Sequence, residues 1–247
     1  MPAPAAIAER ILHGDRRALA RAISGLEKEA PGAAEVLAAL KAHGGHARVV
    51  GVTGPPGAGK STLVAAMAAE LAARGEKVAV VAVDPTSPIS GGALLGDRIR
   101  MAALHGDDRV YIRSLATRGH PGGLSRATRG IVELLGAAGF GTVLVETVGS
   151  GQSETDIRQV AQVCVVVCPP GLGDDIQALK AGVLEIADIF VVNKADVAGA
   201  KRTERELLGL VSLRAASNRG AARTPVMRTT ATSNEGVAEL VDAIRNP

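Results

Sequence analysis

The segment GPPGAGKS, at residues 54–61, combines residue types and spacing that bind the phosphates of a nucleotide. It fits the pattern G-x-x-x-x-G-K-[ST], in which glycines let the backbone wrap a phosphate with its N–H groups pointing inward. Lys60 would contact the terminal phosphates and stabilise charge during hydrolysis, and the Ser61 hydroxyl would ligate Mg²⁺. The helix expected to follow adds its positive N-terminus. The predicted contacts in this loop are Gly54, Pro55, Pro56, Gly57, Ala58, Gly59, Lys60, Ser61 and Thr62.

A second motif, N-K-A-D, indicates which base is bound. It consists of Asn193, Lys194, Ala195 and Asp196 and follows an apolar run that predicts a strand. The Asp196 carboxylate can accept two hydrogen bonds from the ring N–H and the exocyclic amine of guanine, which adenine does not offer in that geometry. The alternative is a polar loop that spells the motif by chance. The motif favours GTP or GDP as the bound nucleotide.

Two residues further along the chain, Thr230 and Ala231, extend the predicted base site. They stand at the end of the next predicted strand, within RTTATSNEG. At that edge of the sheet a backbone N–H can meet the guanine carbonyl oxygen. We therefore include both residues among the predicted nucleotide contacts.

The run FGTVLVETVGSGQSETD carries a glutamate, Glu146, directly after an apolar strand. Desolvating a carboxylate is costly unless a cation or hydrogen bonds meet it. Because phosphate-loop enzymes hold Mg²⁺ with the loop hydroxyl and a strand-end carboxylate, we expect Glu146 to contact the metal or a metal-bound water. The alternative is a surface glutamate beside a plain turn. Residues 149–151 then form a switch that the γ-phosphate orders, and Gln152 is the candidate to orient the attacking water.

Two aspartates are candidates for the same metal site. Asp84 ends the second predicted strand, which we expect next to the phosphate loop, and Asp97 follows a glycine-rich stretch. Asp97 is equally explained as the N-cap of a helix over DRIRMAALHG.

Composition narrows the class of protein. The 247 residues include one Tyr, two Phe and no Trp, which argues against stacking single-stranded nucleic acid on exposed rings. A net charge of +3 is weak evidence for a polyanionic partner. Cys164 and Cys168 lie four apart in one apolar strand, so we expect two buried thiols and no disulfide. No run resembles a membrane span or a signal peptide, so we expect a reduced, cytoplasmic setting without a membrane partner.

Two regions differ in their hydrophobic pattern. Residues 1–45 show helical periodicity broken at Gly14 and Pro31, which predicts a short N-terminal helical extension. Residues 46–247 alternate short apolar runs with amphipathic ones, which predicts an α/β domain whose mostly parallel sheet is covered by helices on both faces. Such sheets bind ligands at the carboxyl ends of their strands, where the motifs above fall.

Several longer blocks of the sequence form a combination that is not general to GTPases. The blocks are GVTGPPGAGKSTL, VDPTSPISGGALLGDRIRM, SLATRGHPGGLS, LVETVGSGQSE and GLGDDIQALKAGVLEIADIFVVNKAD. Together they resemble the MeaB/ArgK G-proteins, which are chaperones of methylmalonyl-CoA mutase and related cobalamin-dependent acyl-CoA mutases. The resemblance covers nearly everything from Val49 to Asp196, with a looser tail. It implies a P-loop GTPase of the signal-recognition/MinD class that gates transfer of adenosylcobalamin to a mutase and guards the mutase against inactivation.

Carried over residue by residue, the resemblance implies a magnesium set and a further switch. The magnesium set falls on Ser61, Asp84, Asp97 and Glu146. The further switch falls on Pro170 to Lys180, where Asp174, Asp175 and Lys180 would otherwise indicate a solvated helix start.

Two features depart from the family's pattern. Ser150 stands where an aliphatic residue is common, and the sequence stops at VDAIRNP where many members continue into a dimerising helical arm. We expect that dimerisation is absent, that it uses another surface, or that the mutase is organised differently.

Three other functions are compatible with parts of the sequence. A nickel-inserting maturation GTPase of the same class would need soft ligands, and the five His and two Cys form no cluster in the sequence. A small-molecule or protein kinase would need an acceptor pocket and a base, and N-K-A-D argues against ATP. A pure scaffold would not need the phosphate, metal and base motifs.

Overall fold

The structure is a computed structural model that describes residues 3–84, 101, 104, 106–116, 126–147, 153–171, 181–217 and 224–246. The strands are β1 (Arg48–Thr53), β2 (Val78–Asp84), β3 (Val110–Ala116), β4 (Thr142–Thr147), β5 (Val163–Cys168), β6 (Ile189–Asn193) and β7 (Val226–Thr229). The helices are α1 (Pro4–Leu12), α2 (Arg16–Glu27), α3 (Ala33–Lys41), α4 (Lys60–Ala73), α5 (Arg126–Ala137), α6 (Ser153–Asp156), α7 (Ala181–Ile186), α8 (Ala200–Ser217) and α9 (Val237–Arg245). A 3₁₀ helix, Ile157–Gln159, follows α6.

The described strands form one seven-stranded sheet in the order β3-β2-β4-β1-β5-β6-β7. Every pairing within it is parallel, which confirms the predicted α/β architecture. The neighbours of β1 are β4 and β5, and β4 separates β1 from β2. The expectation that β2 lies next to the phosphate loop is therefore wrong, and the strand that ends near Glu146 takes that place.

Successive side chains of a strand point to opposite faces of the sheet, and apolar residues occur on both faces. Helices therefore cover both faces. On one face α1, α2, α3 and α5 bury their apolar sides against residues such as Val49, Val81 and Val143. On the other face α4 and α9 cover Val50 and Leu144. A third cluster joins α7 and α8 to β5 and β6.

The N-terminal helices are tied to the edge strand β3 as well as to the sheet face. Arg16 of α2 donates to the backbone oxygens of Asp108 at 2.9 Å and Val110 at 3.0 Å. Arg113 of β3 donates to Ser24 Oγ at 2.9 Å and to Glu27 Oε2 at 3.0 Å. These side chains fix α2 against the edge strand β3 from its start to Arg113.

The cysteines are as predicted, since both are free and fully buried in β5. Burial raises the pKa of the Cys168 thiol to about 12 and also raises the pKa of Cys164. Both are therefore inert apolar side chains of the core. In the part of the chain that the structure describes, no helix is both long enough and apolar enough to cross a bilayer.

Candidate functional site

The phosphate loop connects the end of β1 to the start of α4, as the motif predicts. Gly54 and Gly59 have positive φ angles of 136° and 85°, a backbone region that side chains disfavour. A Cβ atom at Gly54 would collide with the Val167 carbonyl oxygen of β5, and one at Gly59 would lie 2.5 Å from Asn193 Nδ2. The loop is therefore held against β5 and β6 at contacts that only glycine permits.

Lys60 begins α4 and folds back over this loop. Its Nζ donates to the carbonyl oxygens of Gly54 at 2.8 Å and Pro55 at 3.1 Å, and the residue is only 8% exposed. The ammonium group is thus held beside the backbone of the loop that would wrap the phosphates.

Ser61 and Glu146 meet beside the loop. The Ser61 hydroxyl donates to Glu146 Oε1 at 2.6 Å, and both residues are more than nine-tenths buried. The contact forms because β4 lies beside β1, with Glu146 in register with Val52. A hydroxyl and a carboxylate are oxygen ligands of the kind that a hard divalent cation such as Mg²⁺ prefers. Mg²⁺ bound there would neutralise charge on the nucleotide phosphates.

The rest of the predicted metal and switch set is not placed by the structure. Asp84 ends β2 as expected, but its side chain lies outside the described residues, as do Asp97, Gln152, residues 149–151 and residues 172–180. Among the described residues, no three His, Cys, Asp or Glu side chains group together as metal ligands. The contact between Ser61 and Glu146 is the part of the predicted set that can be observed.

A pair of threonines beside this contact was missed by the sequence reasoning. Thr147 Oγ1 donates to Thr53 Oγ1 at 2.9 Å, and both side chains are buried. Thr53 directly precedes the phosphate loop, and Thr147 directly follows Glu146. The bond therefore joins the two strand ends that carry the loop and the carboxylate. The available signal was a polar β-branched residue ending each of two apolar strands.

The three polar residues of N-K-A-D lie in different environments. Asn193 is buried and donates to the Ala58 carbonyl at 3.0 Å, while its Oδ1 accepts from Thr229 Oγ1 at 3.1 Å and from Ala231 N at 3.2 Å. Lys194 has a positive φ of 58°, and its Nζ donates to Gly57 O at 2.9 Å. Asp196 is exposed. Asn193 thus ties the phosphate loop to the end of β7, and Asp196 presents its carboxylate at the surface.

Thr230 and Ala231 follow β7 at the same edge of the sheet. Thr230 N–H donates to the Glu235 carbonyl at 3.0 Å, and Ala231 N–H donates to Asn193. These bonds hold the turn beside N-K-A-D. Contact between this turn and the guanine carbonyl stays a prediction.

The phosphate loop, the strand-end carboxylate and N-K-A-D converge at the carboxyl edge of a parallel sheet, which is the site of a P-loop GTPase that binds guanine nucleotide. The family model described as methylmalonyl-CoA mutase-associated GTPase MeaB matches residues 19–246. The chain belongs to this family, as the resemblance predicted.

Individual relatives agree with this assignment. A putative GTPase of Pyrococcus abyssi is 50% identical over 238 residues, a match that covers 96% of this chain and 74% of the relative. A solved structure described as a LAO/AO transport system kinase superposes with a TM-score of 0.79 at 28% identity, covering 98% of this chain and 74% of that one. The GTPase activity predicted from the motifs is therefore confirmed at the level of the family.

A third comparison bears on the nickel alternative. The HypB structure from Helicobacter pylori in complex with nickel has a TM-score of 0.55 at 16% identity and covers 86% of this chain and 91% of that one. At this identity the likeness shows a shared fold alone. The described residues group no metal-ligating side chains of the kind nickel would need.

Proposed function

We propose that this protein is a GTP-hydrolysing chaperone that gates adenosylcobalamin loading and protects or reactivates a cobalamin-dependent acyl-CoA mutase. The observation that carries the proposal is the match of the mutase-associated family to residues 19–246, from α2 through α9. The match takes in most of α2 and all of α3 as well as the nucleotide site. Within this proposal the protein works in the cytoplasm, where its two free thiols stay reduced.

The proposed nucleotide site assigns a role to each predicted residue. Ser61, Asp84, Asp97 and Glu146 hold Mg²⁺, and the contact between Ser61 and Glu146 at 2.6 Å supports this set. Lys60 stabilises the charge that develops on the phosphates, and Gln152 orients the attacking water. Asp196 reads guanine, supported by its exposure at the same edge of the sheet.

The proposed signal to the mutase passes through the two predicted switches. One follows Thr147, whose hydroxyl is bonded to the strand that enters the phosphate loop. The other begins at Pro170, two residues after β5. A loop carries a signal only if the partner binds its two nucleotide states differently, so these segments should contribute coupling rather than nucleotide affinity.

The test is GTP turnover with and without a methylmalonyl-CoA mutase, run beside adenosylcobalamin transfer followed by absorbance. We expect the mutase to stimulate turnover and cofactor transfer to depend on GTP. Lys60→Ala should lose the stimulated turnover and the GTP-dependent cofactor transfer. Lys201→Ala, an exposed change in α8, should keep both activities. If the mutase does not change GTP turnover and GTP does not change cofactor transfer, the chaperone role is overturned. The GTPase assignment would still stand.

A kinase is the second candidate, favoured by the description of the LAO/AO structure as a transport system kinase. It predicts that label from γ-³²P-GTP appears on an acceptor instead of in inorganic phosphate. The chaperone proposal predicts that all label is released as phosphate.

A further inference from the structure

A cavity of about 600 Å³ lies at the end of β1 opposite the phosphate loop. It is a half-open cleft lined by α3, α5, the loop that enters β1, the end of the 3₁₀ helix and the segment that follows that helix. Small-molecule sites typically have volumes of about 300 to 1,000 Å³, so this cavity is large enough for a ligand. All of its lining residues belong to the described part of the chain, and none belongs to the nucleotide site.

The wall formed by α5 lies in close contact with the loop that enters β1. Val132, Glu133 and Gly136 follow Arg129 by three, four and seven residues, so the four share one face of the helix. A Cβ atom at Gly136 would lie 2.8 Å from the Ala47 backbone nitrogen, which shows how closely the entering loop approaches this helix.

Arg129 contributes a cationic group to the lining of the cavity. Arg129 donates from Nη2 to the Gln159 carbonyl at 2.8 Å, which ties α5 to the segment after α6. A guanidinium group has five N–H donors, so this bond leaves donors for a ligand. Their planar arrangement suits two oxygens of one carboxylate or phosphate.

The rest of the cavity limits the charge and shape of what it holds. Lys41 is paired with Glu133 at 2.8 Å, so these two charges compensate each other and Arg129 leaves a net charge of about +1. The lining also includes Val49, Val132 and Val160, of which Val49 and Val132 are each only 6% exposed. An anionic group at one end and a short apolar body match this arrangement.

We propose that this cavity binds a small organic anion, with its carboxylate or phosphate on Arg129 and its apolar body against Val49, Val132 and Val160. This site is separate from GTP and does not depend on the mutase role. The lining residues Gln159 and Val160 follow the predicted switch at residues 149–151 by eight and nine residues. Binding is the claim that the experiment tests.

The test uses three probes that share one apolar body, added to the ¹⁵N-labelled full chain with saturating GDP so that the phosphate loop is occupied. The probes are isobutyrate, isobutyl phosphate and the neutral isobutyramide. We expect one or both anions to shift the amide signals of Ala47, Gln159 and Val160 with a millimolar dissociation constant, and isobutyramide to bind at least about 10-fold more weakly because it cannot form charge-assisted bonds. Comparing the two anions identifies the headgroup.

Two variants with opposite expected effects on anion affinity distinguish binding in this cavity from general binding at the surface. Arg129→Gln should weaken anion binding at least about 10-fold, and Glu133→Gln should strengthen it because it removes a competing carboxylate from Lys41. Arg205→Gln, an exposed change on α8 outside the cavity, is the matched control and should bind as the wild type does.

Three results would overturn the proposal. These are no shift at the cavity amides up to 50 mM of either anion, equal binding of isobutyramide, and weaker anion binding to Glu133→Gln. If Arg129→Gln fails to fold, the probe comparison in the wild type and the Glu133→Gln arm still decide the outcome.

Discussion

At the scale of single residues, Asn193 and Asp196 of N-K-A-D are placed differently. Asn193 is buried among hydrogen bonds to both neighbouring loops, whereas Asp196 is exposed after the same strand. The motif therefore combines one residue that fixes the loops with one whose carboxylate faces outward. We propose that Asp196 sets base selectivity, while Asn193 positions the loops of the site.

Asp196→Asn should change which nucleotide is bound. We expect at least about 100-fold weaker GTP binding, because an amide cannot accept both hydrogen bonds from guanine, and tighter binding of xanthosine triphosphate, whose exocyclic oxygen accepts a bond from the amide. Isothermal titration calorimetry measures both affinities. Asp108→Asn, at a fully exposed aspartate remote from the motif, is the control and should bind GTP normally. Unchanged GTP affinity in Asp196→Asn would remove this residue from the base site.

Glu146→Gln tests the proposed metal site with little change in shape. Replacing a carboxylate by an amide weakens Mg²⁺ binding without deleting the site, so turnover should fall about 10-fold or more at limiting Mg²⁺ and recover in part at high Mg²⁺. The measurement is GTP hydrolysis across a Mg²⁺ titration. Glu239→Gln, at an exposed position on α9, should follow the wild-type curve. If Glu146→Gln follows it too, the carboxylate has a structural role only.

At the scale of elements, the site depends on strand ends that meet at one edge of the sheet. Thr53 and Thr147 join the ends of β1 and β4, and Asn193 joins the end of β6 to the phosphate loop and to the turn after β7. These contacts are buried side-chain hydrogen bonds, which fix geometry because breaking one leaves its partner unsatisfied. The loops are therefore positioned by neighbouring strands rather than by their own sequences.

Asn193→Ala should weaken the positioning of the loops around the nucleotide site and also lower the stability of the protein. We expect a loss of about 2 kcal/mol in the free energy of unfolding, since several buried partners lose their hydrogen bonds. GTP binding should weaken for every base, unlike the base-specific effect at Asp196. Urea denaturation and calorimetry with GTP and xanthosine triphosphate measure the two effects. A change confined to guanine nucleotides would contradict the positioning role.

At the scale of the whole molecule, the N-terminal helices share a core with the sheet. Ile23 and Leu40 are completely buried in the same cluster as Val81, Val143 and Tyr111. We therefore propose that the predicted extension, residues 1–45, folds together with residues 46–247 and does not unfold by itself. The burial of apolar side chains between the two regions supplies the driving force.

Leu40→Ala tests this cooperative unfolding. Truncating a fully buried leucine should cost about 2 to 5 kcal/mol. Because the chain has one Tyr and no Trp, fluorescence reports on Tyr111 alone, and its transition should shift by the same amount as that of far-UV circular dichroism. Leu12→Ala, at a position 39% exposed, should shift both transitions much less. An early dichroism transition without a change at Tyr111 would show that the helices unfold separately.

Patterns of consecutive residues predicted the strands, the phosphate loop and the base motif. Apolar runs located β1 to β7, and fixed spacing located the phosphate loop, N-K-A-D and the strand-end position of Glu146. Each of these is a property of consecutive residues, since burial on both faces makes a strand uniformly apolar and a loop motif depends on its own spacing.

Which strand ends meet is seen in the folded sheet and not in the sequence patterns. The order of the sheet places β4 beside β1, so Glu146 reaches Ser61 across 85 positions of sequence, while β2 with Asp84 lies one strand further away. The bond between Thr53 and Thr147 spans 94 positions, and the bond between Asn193 and Ala58 spans 135. The cavity beside Arg129 likewise forms between α3, α5 and the segment after α6. Local sequence patterns do not predict such pairings, because the pairings arise when side chains far apart in sequence pack against one sheet.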